Sequence, residues 1–379
     1  MIKISLVFGT RPEAIKMAPV AYALKNSQFF ETQIILTAQH RELLDQVMDL
    51  FKLTSDYDLN IMEEGQSLTD ITIRVLKGLD KIWNKDKPDM ILVHGDTTTT
   101  FSASLSAFYK KIPIAHVEAG LRTYNKYQPY PEEMNRRLTG ILADLHFAPT
   151  KTAKENLLKE NVPKENIFIT GNTVIDAFLY TYKNLGDFKP RNINLLDGKM
   201  ILVTAHRREN WGEPLKNIAL ALKEILENFP DVYIVFPMHP NPIIGKAFLP
   251  ILGDSKRAIL TSPVDYRTMV YLIANSYIIL SDSGGIQEEA PSLGKPVLVL
   301  REVTERPEAV KAGTVKLVGT NKDNIVKELS ELLENEESYR KMSSAINPYG
   351  DGKASLRIVE ILKYYFKLSS SIPEEFKGE

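Results

Sequence analysis

The sequence predicts a two-domain α/β protein built on parallel sheets, and three observations carry that prediction. Val/Ile/Leu-rich runs of strand length recur between longer amphipathic stretches, the pattern of strands buried on both faces. The pattern restarts after a polar loop, NLGDFKPRNINLLDGK from Asn184. The two halves also open alike, because LVFGTRPEAIK and LVTAHRREN each run an apolar strand into an arginine-bearing turn and then a helix. Ligands sit at such carboxyl ends in open parallel sheets, so two of these edges facing one another would make a cleft.

In the first half the strands are ISLVFG from Ile4, QIILTA from Gln33, MILVHG from Met90 and IPIAHVEAG from Ile112. Residues 68–83 predict a helix, since Ile71, Val75, Leu79 and Ile82 recur on one face. The second half supplies MILVTAH, VYIVFPMH, AILTSP, YIILSDS and PVLVL as strands. The apolar segment IVEILKYYFKL predicts a last packed helix that crosses back to the first domain. The polar end SSSIPEEFKGE reads as frayed. The expected division is 1–172, 173–360 and a returning helix and tail over 361–379.

With 379 residues and 44% of them hydrophobic, the chain has enough apolar material for two cores. Its 47 basic and 48 acidic residues are mixed along the chain, so there is no basic footprint for nucleic acid. The absence of cysteine removes disulfides, thiolate nucleophiles and cysteine metal ligands, and fits a reducing compartment. Nowhere do about 18 apolar residues run together, and Arg11 and Glu13 follow the first apolar run too soon for a signal peptide. The expectation is a cytoplasmic protein with no membrane partner. There is no HExxH and no G-x-G-x-x-G after a strand, which argues against a bound metal and a bound dinucleotide.

Three acidic residues follow strands closely: Asp96 in VHGDTTTTFS, Glu118 in HVEAGLRT and Glu132 in YPEEMNRR. Asp96 could be a helix N-cap, and Glu132 and Glu133 could simply cap the helix through Asn135 and Arg136. Against that, Asp96 and Glu118 end consecutive buried strands, so their carboxylates should converge and push their pKa values apart. A basic set comprises Arg11, Lys16, His206, Arg207, Arg208 and Arg306, all beside turns and strand ends. Arginine suits bidentate phosphate contacts. With Ser283, Gly284 and Gly285 opening a helix in SDSGGIQEE, this set predicts a diphosphate site. The same stretch places Glu288 and Glu289 one turn further on, which suits a ligand that carries hydroxyls as well as phosphate. His94, His116, His146 and His239 lie in or at the ends of strands and read as structural, His239 being the most suited to another role.

The stretches GTRPEAIKMAPV, TAQHRELLDQV, VHGDTTTTFSASLSAFY, HVEAGLRT, PEEMNRR, ITGNTVIDA, HRREN, LSDSGGIQEEAPSLGKPVLVLR and TERPEAVKAGTVKLVG together resemble the non-hydrolysing UDP-N-acetylglucosamine 2-epimerases. The resemblance runs from Ile4 to about Leu362. It implies two Rossmann-like doubly wound domains facing a central cleft, the glycosyltransferase B-type architecture, in a homodimer. It also implies C2 epimerisation of UDP-N-acetylglucosamine to UDP-N-acetylmannosamine through loss of UDP, a 2-acetamidoglucal intermediate and re-addition, with no redox cofactor. Asp96, Glu118 and Glu132 match the family's essential carboxylates and His206 its cleft histidine. Arg11, Lys16, Ser283, Gly284, Gly285, Glu289 and Arg306 match nucleotide contacts, and Val264 and Met269 fall where uracil is held. Gln39, His40, Arg207 and His239 match residues of a second, activating substrate site. A UDP-sugar glycosyltransferase, a hydrolysing epimerase and a non-catalytic sugar-nucleotide sensor are the rival readings. HRREN and TERPEA favour the non-hydrolysing branch, and a sensor would not need all three carboxylates.

Overall fold

A computed structural model describes every residue except Gln39, His40, Glu64 and Glu379, and every described side chain except those of residues 41–43. The chain forms two units, Met1–Ala177 with Tyr349–Gly378, and Phe178–Pro348. In the first unit the strands are β1 (Ile2–Phe8), β2 (Phe30–Leu36), β3 (Tyr57–Asp58), β4 (Met90–His94), β5 (Ile114–Val117), β6 (Leu145–Ala148) and β7 (Ile167–Ile169). Its helices are α1 (Arg11–Lys25), α2 (Arg41–Leu50), α3 (Leu68–Trp83), α4 (Thr98–Tyr109), α5 (Glu132–Leu142), α6 (Lys151–Lys159) and α7 (Thr173–Lys183), the last running past the unit boundary. All seven strands pair in parallel, in the order β3-β2-β1-β4-β5-β6-β7.

The second unit repeats this winding with β8 (Lys199–Thr204), β9 (Val232–Pro237), β10 (Ala258–Thr261), β11 (Ile278–Ser281), β12 (Val297–Val299) and β13 (Val315–Leu317). Between them run α8 (Glu213–Asn228), α9 (Pro242–Leu252), α10 (Tyr266–Asn275), α11 (Gly284–Glu289) and α12 (Pro307–Ala312), and after β13 come α13 (Lys322–Glu334) and α14 (Glu336–Ser343). The six strands lie in the order β10-β9-β8-β11-β12-β13, so each sheet reverses direction beside its first strand. The expected fold class therefore holds: two doubly wound parallel sheets. β3, β6, β7 and β13, of two to four residues, were not among the strands expected from sequence.

In the first unit, Ile71, Val75 and Leu79 of α3 and Ala103 and Ala107 of α4 pack on Val7, Ile35, Ile91, Val93 and Ile114 of the sheet. α8, α9 and α13 do the same in the second unit, burying Ile218, Leu222, Phe248 and Leu329 against Ile201, Val203, Ile234 and Phe236. Strands covered in this way need no polar face, which is why they read as continuous apolar runs.

The chain returns to the first unit at Tyr349, so residues 349–360 do not belong with the second half as expected from sequence. The cause is a cap supplied from a distance. Lys353 opens the last helix, α15 (Ala354–Tyr365), without a side-chain cap of its own. Instead the buried Asp176 carboxylate accepts the N–H groups of Ala354 at 3.1 Å and Ser355 at 2.8 Å, and the Ser355 hydroxyl at 2.6 Å. The expected frayed end is also corrected. Phe376 N–H donates to the Ile169 carbonyl at 2.8 Å, while the Glu375 carboxylate accepts from Ile169 N–H at 3.0 Å and Lys154 at 2.7 Å. These bonds lay the tail along β7.

Candidate active site

The first unit gathers its polar residues where β1, β4 and β5 end. The turn after β1 is held by Glu13, whose carboxylate accepts the N–H groups of Gly9 at 3.0 Å and Thr10 at 2.8 Å and closes a capping box with Thr10. Its other oxygen accepts the Thr97 hydroxyl at 2.6 Å and the Thr100 hydroxyl at 3.1 Å, tying this turn to the start of α4. Gly9 must be glycine, because a Cβ there would lie 1.8 Å from Thr37 Oγ1. Arg11 starts α1 in an exposed position, and Lys16 points from the same helix to Glu118.

Asp96 sits in the turn after β4, and the cap of α4 is Thr97, whose hydroxyl accepts from Thr100 N–H at 3.1 Å. Asp96 is therefore released from the capping role. Its carboxylate accepts from Arg136 at 2.6 Å and its carbonyl from the Asn135 amide at 3.0 Å, both from α5. Burial pushes the Asp96 carboxyl above its ordinary range; Arg136 opposes this and the Glu118 charge adds to it.

Glu118, directly after β5, adopts φ of 61°, a left-handed conformation uncommon outside glycine and frequent at functional sites. Its Oε2 accepts from the Lys16 ammonium and, at 2.8 Å, from the Asn172 amide, while His94 Nε2 stands 3.8 Å away. Burial acts to raise this carboxyl too. Lys16 first and then His94 outweigh it and hold Glu118 well below the usual range. Two carboxylates at the ends of adjacent strands are thus displaced in opposite directions.

The pair in PEEMNRR divides its work. Glu133 is fully buried and accepts the N–H groups of Thr123 at 3.0 Å and Tyr124 at 3.1 Å, clamping the loop before α5. Glu132 opens α5 half-buried, and its Oε2 is buried with no hydrogen-bond partner. Of the histidines nearby, burial holds His116 down to about 3 and His146 down to about 4, so both are neutral structural groups at neutral pH.

In the second unit the polar residues cluster after β8 and β11. Asp282, fully buried, follows β11 and Ser283 precedes α11. A Cβ placed on Gly284 would lie 3.7 Å from Arg306 Nη2 and 3.9 Å from Arg207 Nη2, so two guanidinium groups border the glycine-opened turn. The first N–H groups of a helix lack intrahelical partners, and this turn adds them to the two cations, a setting for an anion. The two glutamates that follow are not left to repel it. Glu288 engages Arg306 Nε, and Glu289 accepts the Tyr266 hydroxyl at 3.1 Å. Burial, followed by the Glu289 charge, raises the Tyr266 phenol well above its ordinary value and keeps it a donor.

Val264, between β10 and α10, helps line a cavity of about 730 Å³ with Phe188, Arg191, Pro263, Asp265 and Thr268. Met269 is half-buried one turn into α10 and is not on that wall. His206 follows β8; its ring stacks on that of His239 with centroids 6.2 Å apart. Arg208 is turned onto Trp211, 5.8 Å from its ring, and so separates from the basic set. Gln39 and His40 lie outside the described residues. Arg136, Asn172, Tyr266 and Asp282 received no role from sequence, because each acts by holding another group that only the fold brings beside it. Among the described residues no group of three or more His, Asp or Glu side chains could hold a metal ion, and no helix is long and apolar enough to cross a membrane.

Two doubly wound units, one with oppositely displaced carboxylates at its strand ends and the other with an arginine-flanked glycine turn, define a two-domain enzyme of the glycosyltransferase B-like fold class. Within it, the chain belongs to the UDP-N-acetylglucosamine 2-epimerase family, whose profile matches residues 22–363. The Escherichia coli K12 UDP-N-acetylglucosamine 2-epimerase is 55% identical over 370 residues, covering 96% of this chain and 98% of its own length. The Bacillus subtilis UDP-N-acetylglucosamine 2-epimerase is 53% identical over 378 residues, covering 100% and 99%. The crystal structure of the Neisseria meningitidis UDP-GlcNAc 2-epimerase bound to UDP-GlcNAc superposes with a TM-score of 0.84 at 52% identity, covering 95% of this chain and 99% of that one.

Proposed function

We propose that this protein interconverts UDP-N-acetylglucosamine and UDP-N-acetylmannosamine by inverting C2, as a cytoplasmic homodimer without a redox cofactor. The base removes the C2 proton while the C1–O bond to UDP breaks, leaving enzyme-bound 2-acetamidoglucal and UDP. UDP then re-adds at C1 as C2 takes a proton on the opposite face. The observation that carries this reading is the contrast between Asp96 and Glu118. Proton transfer on both faces of C2 needs one group ready to accept and another ready to donate, and neighbouring carboxyls pushed apart in pKa meet that need. Glu118, held ionised by Lys16, is the acceptor; Asp96, the carboxyl displaced upward, carries the proton; the roles exchange in reverse. Glu132, with a buried oxygen free to engage ligand, completes the set.

The departing diphosphate is an anion at Ser283, Gly284, Gly285 and Arg306; Arg11 is a nucleotide contact, and His206 takes part in the reaction. Fixed cations and helix N–H groups stabilise charge as it develops on the leaving group. Glu289, held by Tyr266, takes ribose hydroxyls, and Val264 and Met269 hold the uracil. Arg207 and His239 also serve an activating second substrate molecule. For the homodimer, support comes from exposed Phe108 and Tyr109 of α4 and exposed Leu138 and Ile141 of α5, apolar side chains that a partner would cover.

Proton NMR of the purified protein with UDP-N-acetylglucosamine in D2O tests the reaction. UDP-N-acetylmannosamine carrying deuterium at C2 is expected. Free N-acetylmannosamine would assign the hydrolysing reaction instead, and binding without exchange would assign a transferase or a sensor.

A further inference from the structure

Asp282 has no place in the reaction as proposed, yet it is fixed through one oxygen and turns the other toward the His206 ring. It is fully buried at the end of β11. Its Oδ2 accepts the backbone N–H groups of His206 at 2.8 Å and Arg207 at 2.8 Å and the Asn210 amide at 3.1 Å. These bonds fix the carboxylate against the chain that leaves β8. The remaining oxygen, Oδ1, stands 2.9 Å from His206 Nδ1, whose side chain is 39% exposed while that of Asp282 is 0% exposed. Oδ1 is buried without a hydrogen-bond partner of its own, so a proton on the nearby Nδ1 of the neutral imidazole is the arrangement that serves it. Nε2 is then the unprotonated nitrogen.

The neighbouring ring is held the other way. His239 Nδ1 accepts the Asn241 N–H at 3.2 Å, so its proton resides on Nε2. The two stacked imidazoles, interplanar angle 16°, therefore carry opposite tautomers.

We propose that Asp282 is the positioning residue of His206: it selects the Nδ1–H tautomer and aims the Nε2 lone pair outward, so that His206 meets a hydroxyl or amide N–H of the sugar nucleotide as a hydrogen-bond acceptor. This rests on the role given to His206 above. Free imidazole favours the Nε2–H form, and a histidine left to itself would present a donor to the ligand instead. Arg207, whose N–H is accepted by Oδ2 together with that of His206, is set in register by the same carboxylate.

Long-range 1H–15N correlation on histidine-labelled protein, at a pH where the rings are neutral, reads the tautomers directly; the chain has 6 histidines to assign. His206 is expected with Nδ1 protonated and His239 with Nε2 protonated. An Nε2–H tautomer at His206 in the unaltered protein overturns the proposal without recourse to any variant. Asp282→Asn, which can offer an N–H toward Nδ1, is expected to switch His206 to the Nε2–H form and to lower kcat roughly a hundredfold with a smaller change in KM. In a His206→Asn background the same change is expected to cost under about threefold, since residues acting as a unit are not additive. Equal losses in both backgrounds would make Asp282 structural only and overturn the proposal. Full turnover in His206→Asn alone would remove His206 from the reaction, while the tautomer result would still report on the Asp282 contact.

Discussion

The Lys16 ammonium is bonded to the Glu118 carboxylate, and the Asn172 amide reaches the same oxygen at 2.8 Å. Helix α1 thus supplies the charge that keeps a buried carboxylate ionised at the end of β5. Lys16→Met removes that charge and leaves Glu118 buried without its ammonium, at a cost of about 3 kcal/mol in stability at neutral pH. Because Glu118 is depressed below its ordinary 4.5, the pair's contribution is present above pH 4.5 and is lost as pH falls through the folded value. Urea unfolding should therefore show a gap between Lys16→Met and the unaltered protein that is widest at neutral pH and narrows on acidification. A gap independent of pH would mean that Lys16 matters only by packing.

Asp96→Asn separates activity from stability. The folded protein binds the Asp96 proton more tightly than the unfolded chain, whose ordinary value is 3.8. Stability consequently falls as pH rises from 3.8 through the folded value and stays lower above it. Asparagine cannot ionise and escapes that loss, while Arg136 keeps an oxygen to bond. The variant should unfold at neutral pH at a temperature equal to or above that of the unaltered protein, with turnover lower by about a hundredfold or more. Retained turnover would remove Asp96 from the proton-transfer set.

Tyr266→Phe deletes the hydroxyl that pins Glu289 and nothing else of the ring. KM for the sugar nucleotide should rise roughly tenfold with a smaller change in kcat, as expected when one hydrogen bond to a charged binding group is lost. Steady-state kinetics would decide it: a fall in kcat at constant KM would place Glu289 in the chemical step instead.

Asp176→Ala strips the cap from α15. Three donors, Ala354 N–H, Ser355 N–H and the Ser355 hydroxyl, lose their acceptor in a buried setting. The expected loss is about 2 kcal/mol, from the range for helix caps and unsatisfied buried donors. Chemical denaturation measures it, and an unchanged midpoint would mean that α15 is held by its apolar face alone.

Much of this protein was determined by its sequence alone. Apolar runs such as ISLVFG and MILVTAH specify buried parallel strands, because only a strand covered on both faces dispenses with polar residues. Position at a strand end sufficed to single out Asp96, Glu118 and the SDSGG turn, since those ends are where loops of a wound sheet collect. Tertiary structure alone decided what each group became. Asp96 and Glu118 look alike in sequence, yet they are displaced oppositely: at Asp96 burial prevails over Arg136 from α5, whereas at Glu118 Lys16 from α1, with His94, prevails over burial. Glu132 and Glu133 are adjacent, but only Glu133 turns toward the N–H groups of Thr123 and Tyr124. The return of α15 depends on Asp176, 178 residues earlier than the N–H of Ala354 that it caps. Local patterning encodes which segments are buried; charge and hydrogen-bond partners come from residues distant in the chain, and only folding brings them within the few ångströms over which they act.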